Sequence, residues 1–326
     1  MLTGNTKGLG AGVLAILYLS ATVATAQQRS QYLSGLNAVN SGVQPDAGLT
    51  YANIVYDDSS SRLKGPGGGG IPVSGQFAIF VDNNVFLYVY KPRVLGGNLE
   101  SIADVTVANA NLTASVFASG IIPGQAEIPI NGGGGGLANC YFIPLQIGWH
   151  LKRVDVQAGY AFIAPTGRYS FGGNSNTGGG YWTNALQAGA TIYVTANKAT
   201  AINAFNFYGW NTRQPGSNIT FGQNENFDYS LTQVLPLTKI KTYLLQLGAA
   251  GYGEWQTSSP GGSGPLGTGL PPVVLNSRYG VNAVGFAANL LVPAKKVVLG
   301  ASTFWELGAY NTREGHVLMI SASFSF

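Results

Sequence analysis

Twelve segments of the sequence alternate between apolar and polar residues, and this two-residue period constrains the fold more than any other feature. Such a period places successive side chains on opposite faces of a β-strand. The predicted strands are 49–57, 84–93, 98–110, 138–149, 153–164, 181–194, 199–210, 219–234, 241–256, 277–291, 296–309 and 315–326. The pattern predicts an all-β chain of about twelve strands, within a range of about ten to fourteen.

The last predicted strand shows the alternation most clearly. Leu318, Ile320, Ala322, Phe324 and Phe326 share one face, and a methionine and three serines share the other. A strand with lipid on one side and water on the other requires this pattern, because a charge facing lipid at mid-depth costs about 2–4 kcal/mol. Two segments, 199–210 and 277–291, do not sort cleanly into two faces.

The composition separates a membrane barrel from a soluble β-sandwich. Only 9% of the residues are charged and 45% are hydrophobic, whereas about 25% are charged in an ordinary soluble protein. No apolar run of helix-spanning length follows the first 26 residues. Strands that cross lipid must satisfy every backbone amide, so they close into a cylinder. We therefore predict a transmembrane antiparallel β-barrel.

The connections between the predicted strands alternate in length. The short ones are 94–97, 150–152, 195–198, 235–240 and 292–295. The long ones are 58–83, 111–137, 165–180 and 257–276, with 211–218 and 311–314 also in the long positions. Bacterial barrels combine short periplasmic turns with longer external loops. The glycine-rich stretches 67–70, 132–136 and 258–272 are predicted to be loops without secondary structure.

The first residues resemble a secretory leader. Lys7 precedes the apolar stretch 8–21, and Ala24 and Ala26 form a small-residue cleavage site. The apolar stretch is short for a membrane anchor, which is the alternative interpretation. We expect a signal peptide over 1–26, a periplasmic segment or plug over 27–48, and an outer-membrane barrel over 49–326.

The inward face of the predicted strands carries polar residues. They are Asp104, Asp155, Gln157, Asp228, Gln246, Tyr252, Glu254 and Glu306. Two interpretations remain open for this set. The residues line a polar, mildly cation-preferring solute path, or they pair with arginines and fill a narrow lumen.

The sequence offers little for catalysis or metal binding. A hydrolase would have to combine His316 with Ser302 and either Asp228 or Glu306. No Gly-x-Ser-x-Gly nucleophile elbow supports this candidate set. The single cysteine and two histidines form no cluster at metal-ligand spacing. The net charge of +4 comes without a basic patch for nucleic acid. We predict no enzyme, no cofactor, no metal and no nucleic-acid partner.

Several short motifs resemble a known family. They involve Pro144, Gly148, Trp149, Pro165, Thr166, Gly167 and Trp182. In this combination the chain resembles the outer-membrane transporters of the meta-pathway phenol-degradation family, over roughly residues 49–326. The resemblance implies a barrel that takes up aromatic or other hydrophobic compounds, and it implies no particular binding residues.

Three functions follow as hypotheses. The first is an outer-membrane channel that passes small hydrophobic or aromatic compounds by passive diffusion. The second is a structural or adhesive surface barrel that acts through its glycine-rich loops, and the third is an outer-membrane lipid hydrolase. The expected partners are outer-membrane lipid, a small hydrophobic solute and the barrel-assembly machinery, which would recognise the last strand at Phe326.

Overall fold

A computed structural model describes residues 29–70, 73–117, 127–171, 173–238, 242–262 and 278–326. The predicted signal peptide lies outside these residues, as does most of the predicted glycine-rich loop 258–272. Within the described ranges, no helix is long and apolar enough to cross a membrane.

The described chain forms fifteen strands, of which two contain only two residues. They are β1 (Gly48–Leu63), β2 (Val73–Val94), β3 (Gly97–Phe117), β4 (Glu127–Leu137), β5 (Cys140–His150), β6 (Val154–Ala164), β7 (Thr183–Tyr193), β8 (Thr200–Asn211), β9 (Ile219–Thr220), β10 (Asn224–Pro236), β11 (Leu244–Gln256), β12 (Gly261–Gly262), β13 (Gly280–Val292), β14 (Val297–Tyr310) and β15 (Arg313–Ser325). A short 3-10 turn, Pro293–Lys295, joins β13 to β14.

Twelve of these strands close into one antiparallel barrel, which confirms the predicted fold class. Closure occurs between the first and last strands, where Thr50 pairs with Ser325 and Leu63 with Arg313. Strand β4 is additional to the twelve. It pairs with the C-terminal half of β3, whereas β5 pairs with the N-terminal half. Strands β9 and β12 pair with each other outside the main sheet.

The connections alternate between a short-turn end and a long-loop end of the barrel, as predicted. The tightest turn joins β2 to β3 through Leu95 and Gly96, with φ angles of 49° and 80°. Two successive positive φ angles form the hairpin turn whose twist matches that of the strands. At the opposite end, 165–182 joins β6 to β7.

Two of the predicted long loops are wrong, because most of their residues are strand. Strands β1 and β2 continue through the predicted loop 58–83 and pair as far as Ser60 with Phe77. The predicted loop 111–137 contains the end of β3 and all of β4, including glycines 132–136. The apolar alternation stops where lipid stops, but the backbone hydrogen bonds of a hairpin continue beyond that point. A smaller error is the start of the predicted strand 219–234, which is the separate strand β9.

The two faces of the wall differ as the alternation predicts. In β10, Leu231 is 54% exposed while its neighbour Thr232 is 1% exposed, and Phe227 and Tyr229 also face outward. The same alternation holds in β13, where Val284 and Phe286 are exposed. An exposed apolar belt of this kind is stable only against lipid.

Candidate functional site

The residues before the first strand, 29–47, lie inside the barrel and are called the lumen segment here. The segment contacts inward side chains near the long-loop end through Arg29 and near the short-turn end through Gln44. Between these points it folds into turns, with the amide of Leu36 donating to the carbonyl of Leu33. The lumen segment therefore occupies the space that a solute would have to cross.

The first anchor of the lumen segment is an ion pair between Arg29 and Glu306 of β14. Both side chains are buried, and the second guanidinium nitrogen lies 2.9 Å from the second carboxylate oxygen. The Tyr252 hydroxyl and the Gly315 amide, each at 2.7 Å, also donate to this carboxylate. Burial lowers the pKa of the Arg29 guanidinium, but the charge of Glu306 outweighs it and raises the pKa well above its usual value. Arg29 therefore carries a full positive charge.

The second anchor is Asp228 of β10, which is fully buried. Its carboxylate accepts hydrogen bonds from the Tyr32 hydroxyl at 2.7 Å, the Gly35 amide at 2.8 Å and the Asn37 amide at 3.1 Å. Burial and the nearby carboxylate raise the pKa of the Tyr32 hydroxyl, so the phenol stays protonated and donates. Burial removes water from this carboxylate. Three donors from the lumen segment supply the hydrogen bonds that water would otherwise make.

The third anchor is Glu254 of β11. The Ser30 amide donates to one carboxylate oxygen at 2.7 Å, and the Ser34 hydroxyl donates to the other at 2.9 Å. The Tyr279 hydroxyl adds a third hydrogen bond at 2.7 Å. Three inward carboxylates of the barrel are therefore engaged by one short stretch of the lumen segment, residues 29–37.

Aromatic side chains hold the same stretch from the side of β8. The Tyr32 ring stacks on Phe207 with centroids 4.7 Å apart and on Phe205 with centroids 5.8 Å apart. Asn206, between them, faces outward and hydrogen-bonds to Glu225. This arrangement explains why segment 199–210 does not sort by polarity, since the lumen is apolar at the level of Tyr32. For the same reason, the alternation of polarity does not reveal that these two phenylalanines face the lumen.

Close backbone contacts hold the second half of the lumen segment. A Cβ atom at Gly189 of β7 would collide with the carbonyl of Ser41, and one at Gly148 of β5 would collide with the side chain of Gln44. The amide of Gly42 donates to the Thr191 hydroxyl at 3.0 Å. Segment and wall are therefore in van der Waals contact on the side of β5 to β7.

Of the other predicted lumen residues, some bind the lumen segment and some contact only the wall or a cavity. Gln246 donates to the Asn40 side chain at 2.8 Å, and Gln157 donates to the Ser41 carbonyl at 2.9 Å. Asp155 accepts a hydrogen bond from Tyr193 at 2.5 Å near the short turns. Asp104 is buried in the wall and faces a cavity. All eight predicted residues thus lie on the inward face, and their part in a solute path stays a prediction.

A cavity of about 490 Å³, the long-loop cavity, is lined by the lumen segment, the strands β1 to β3, Tyr141 of β5, Ile163 of β6 and part of the loop before β7. Phe77, Ile79 and Val81 form much of its apolar wall, while Asp104 and Arg313 contribute charge. A second cavity of about 170 Å³, the short-turn cavity, lies further along the barrel against β1, β13, β14 and β15. Empty space in the lumen therefore remains beside the segment.

The motif residues behind the family resemblance shape the barrel wall. Thr166 accepts a hydrogen bond from the Cys140 amide at 2.9 Å and donates to the Ala138 carbonyl at 2.6 Å. The Gly167 amide donates to Asn139 at 3.2 Å, so the turn after Pro165 ties the end of β6 to the start of β5.

The other motif residues lie elsewhere in the wall. Trp149 donates to the Leu95 carbonyl at 3.0 Å, and the Pro144 carbonyl accepts from Ser101 at 2.7 Å. Gly148 leaves room for Gln44, as described above. Trp182 packs its ring on Phe162, with the ring centroids 5.8 Å apart.

The candidate hydrolase residues do not come together in the structure. His316 contacts Thr303 and Trp305, and Trp305 faces outward. Ser302 lines the short-turn cavity inside the barrel, so the β-sheet separates it from His316. In the part of the chain that the structure describes, no three potential metal-ligating His, Cys, Asp or Glu side chains come together.

Solved structures with a similar fold include an outer-membrane channel and the transport unit of an autotransporter. An outer-membrane channel of Pseudomonas putida F1 superimposes with a TM-score of 0.67 at 16% identity, covering 89% of this chain and all of that one. The transport unit of the Escherichia coli autotransporter AIDA-I gives a TM-score of 0.45 at 10% identity, covering 95% of this chain and 97% of that one. At 16% identity, the similarity to the Pseudomonas channel shows the fold alone. The TM-score of the autotransporter unit is too low to add to that conclusion.

Sequence comparison identifies the family. No curated protein sequence matches the chain. A family described as "Putative MetA-pathway of phenol degradation" matches residues 60–322, which is most of the barrel. This match confirms the resemblance found in the sequence motifs, and the chain belongs to that family.

Proposed function

We propose that this protein is an outer-membrane channel that admits small hydrophobic or aromatic compounds by passive diffusion. The observation that carries the proposal is the long-loop cavity, which lies inside a closed barrel whose outer surface is apolar. Family membership supports it, as does the likeness to a Pseudomonas protein that is an outer-membrane channel.

The lining of the long-loop cavity suits a small solute with an apolar body. Phe77, Ile79 and Val81 offer apolar contact on one side. Asp104 offers a hydrogen-bond acceptor, and the ion pair of Asp58 and Arg313 adds a polar patch to the lining. A volume of about 490 Å³ falls in the range of about 300–1,000 Å³ that is typical of small-molecule sites.

The lumen segment acts as the plug of this channel in our proposal. Its anchors to Glu306, Asp228 and Glu254 hold it in the lumen, and the space left beside it passes small molecules only. Cells therefore gain a route for small hydrophobic compounds without a wide aqueous pore.

The proposed location is the outer membrane, reached after export under the direction of the leader. The apolar belt contacts lipid there. The last residue, Phe326, donates its amide to the Leu49 carbonyl at 2.8 Å while its side chain stays exposed. This exposed aromatic beside the closing strand pair is available to the barrel-assembly machinery.

Reconstitution into liposomes tests the channel directly. Vesicles containing the purified protein should take up phenol, benzyl alcohol and toluene faster than empty vesicles, and should exclude a disaccharide. Equal uptake with and without protein for all three aromatic probes would contradict the proposal. A variant lacking glycines 67–70 serves as the control, because these residues lie outside the long-loop cavity. Loss of surface adhesion in that variant, with no aromatic uptake in either protein, would favour the adhesive alternative.

A further inference from the structure

The lumen segment is sealed against one side of the barrel. Toward β10 and β11 it is held by hydrogen bonds to Asp228, Glu254 and Gln246. Toward β5 to β7 it contacts the wall near the short turns, at Gly148 and Gly189, where a single methyl group would not fit. A solute therefore has no room to reach the short turns on this side.

Two cavities lie beside other parts of the segment. The long-loop cavity faces β1 to β3 and extends to Tyr141 of β5 and Ile163 of β6, and the short-turn cavity continues along β1 and β13 to β15 toward the short turns. The segment meets this wall through Leu33, Leu36 and Val39, which pack on an apolar cluster that includes Val81 and Met319. The two cavities border these contacts, so a side chain here can rotate into empty space.

Leu36 is the residue that both cavities share. Its side chain also packs against two apolar clusters on different parts of the wall, one that includes Val81 and one that includes Phe205. Leu36 therefore stands between the two clusters and between the two cavities.

We infer that solutes pass from the long-loop cavity to the short-turn cavity beside Leu36, and that this side chain sets the size limit of the channel. The inference rests on the proposed channel function. It assigns the passage to the apolar side of the lumen segment, where rotation of one leucine joins two existing spaces. A larger side chain at position 36 closes the passage, and a smaller one opens it.

Flux through variants of Leu36 tests the inference. Leu36→Ala should raise the rate of toluene and phenol entry into proteoliposomes about tenfold, equivalent to a barrier lower by about 1.4 kcal/mol. Leu36→Trp should reduce the same rate to that of empty vesicles. Val43→Ala is the matched control, because Val43 belongs to the same segment and lines neither cavity. Heat-modifiable migration in gels checks that every variant is folded.

A second measurement covers the case in which a Leu36 variant does not fold. With Cys140, the single native cysteine, replaced by serine, Leu36→Cys should lose its flux when a bulky thiol reagent is added, whereas Val43→Cys should keep it. Equal behaviour of the position 36 and position 43 variants, with wild-type flux present, would overturn the inference and leave the channel proposal standing. Absence of flux in the wild-type protein would instead overturn the channel proposal itself.

Discussion

The walls on the two sides of the lumen segment hold it in opposite ways. On the side of β10, β11 and the long-loop end of β14, buried carboxylates meet donors from the segment, as at Asp228, Glu254 and Glu306. On the side of β1 to β3, the contacts are mainly apolar side chains beside the long-loop cavity. Directional hydrogen bonds fix the position of the segment, and the non-directional contacts leave space beside it. The difference teaches that one wall fixes the position of the lumen segment while the other leaves empty space beside it.

The polar wall depends on the segment as much as the segment depends on the wall. A buried carboxylate without hydrogen-bond partners is costly, and Asp228, Glu254 and Glu306 are all buried. The segment supplies Arg29, backbone amides and hydroxyl groups to all three. Loss of these donors is expected to release the segment, whereas changes on the apolar wall are expected to leave it in place.

The largest effect is expected from Arg29→Ala. Breaking a buried ion pair from one side costs about 3–5 kcal/mol, because Glu306 would stay buried without its counter-charge. We expect a lower free energy of unfolding by about that amount, measured by denaturant titration in lipid vesicles, together with faster protease cleavage of the segment. Arg62→Ala is the control, since the exposed Arg62 pairs with Glu314 and should cost about 0–1 kcal/mol. Equal losses for the two variants would remove the distinction between the walls.

Asp228→Asn is expected to have the next largest effect. The variant keeps the shape of the side chain but turns an amide group toward three donors, Tyr32, Gly35 and Asn37. Unfolding free energy should fall by about 1–3 kcal/mol, and protease should reach the segment sooner. Glu225→Gln, on the outward face of the same strand, should leave the segment protected. Full protection in Asp228→Asn would mean that the polar wall does not place the segment.

Gly189→Ala tests the close contact without changing any charge. The added methyl group would collide with the Ser41 carbonyl, so the second half of the segment must shift. Overpacking of this kind costs about 1–3 kcal/mol, and we expect faster hydrogen exchange of the amides of residues 41–44. Gly135→Ala is the matched control, because its nearest atoms would lie 3.8 Å away. Unchanged exchange in Gly189→Ala would contradict the sealed contact.

The smallest effect is expected on the apolar wall. Ile79→Val removes one methyl group from the lining of the long-loop cavity and should cost about 0.5–1.5 kcal/mol. Protease protection of the lumen segment should equal that of the wild-type protein, in contrast to Arg29→Ala. Release of the segment by this substitution would show that both walls place it, and the comparison would fail.

The alternation of polarity predicted the inward residues well where one face of a strand meets lipid. Asp155 and Gln157 of β6, and Gln246 and Glu254 of β11, lie on the inward face because the alternation of their strands is regular. It failed at Phe205 and Phe207, where the lumen itself is apolar. It also missed the extension of β1 to β3, since strands beyond the lipid carry no polarity signal.

The sequence by itself determined that the chain forms a closed barrel and, where the alternation is regular, which side chains face lipid, because a two-residue period and the solvation of backbone amides act locally along each strand. Only the tertiary structure decided what fills the lumen. Arg29 and Glu306 are 277 residues apart and meet because the barrel closes around the lumen segment. Contacts between residues so far apart in sequence depend on barrel closure and strand register. The residues around Arg29 do not determine either of these.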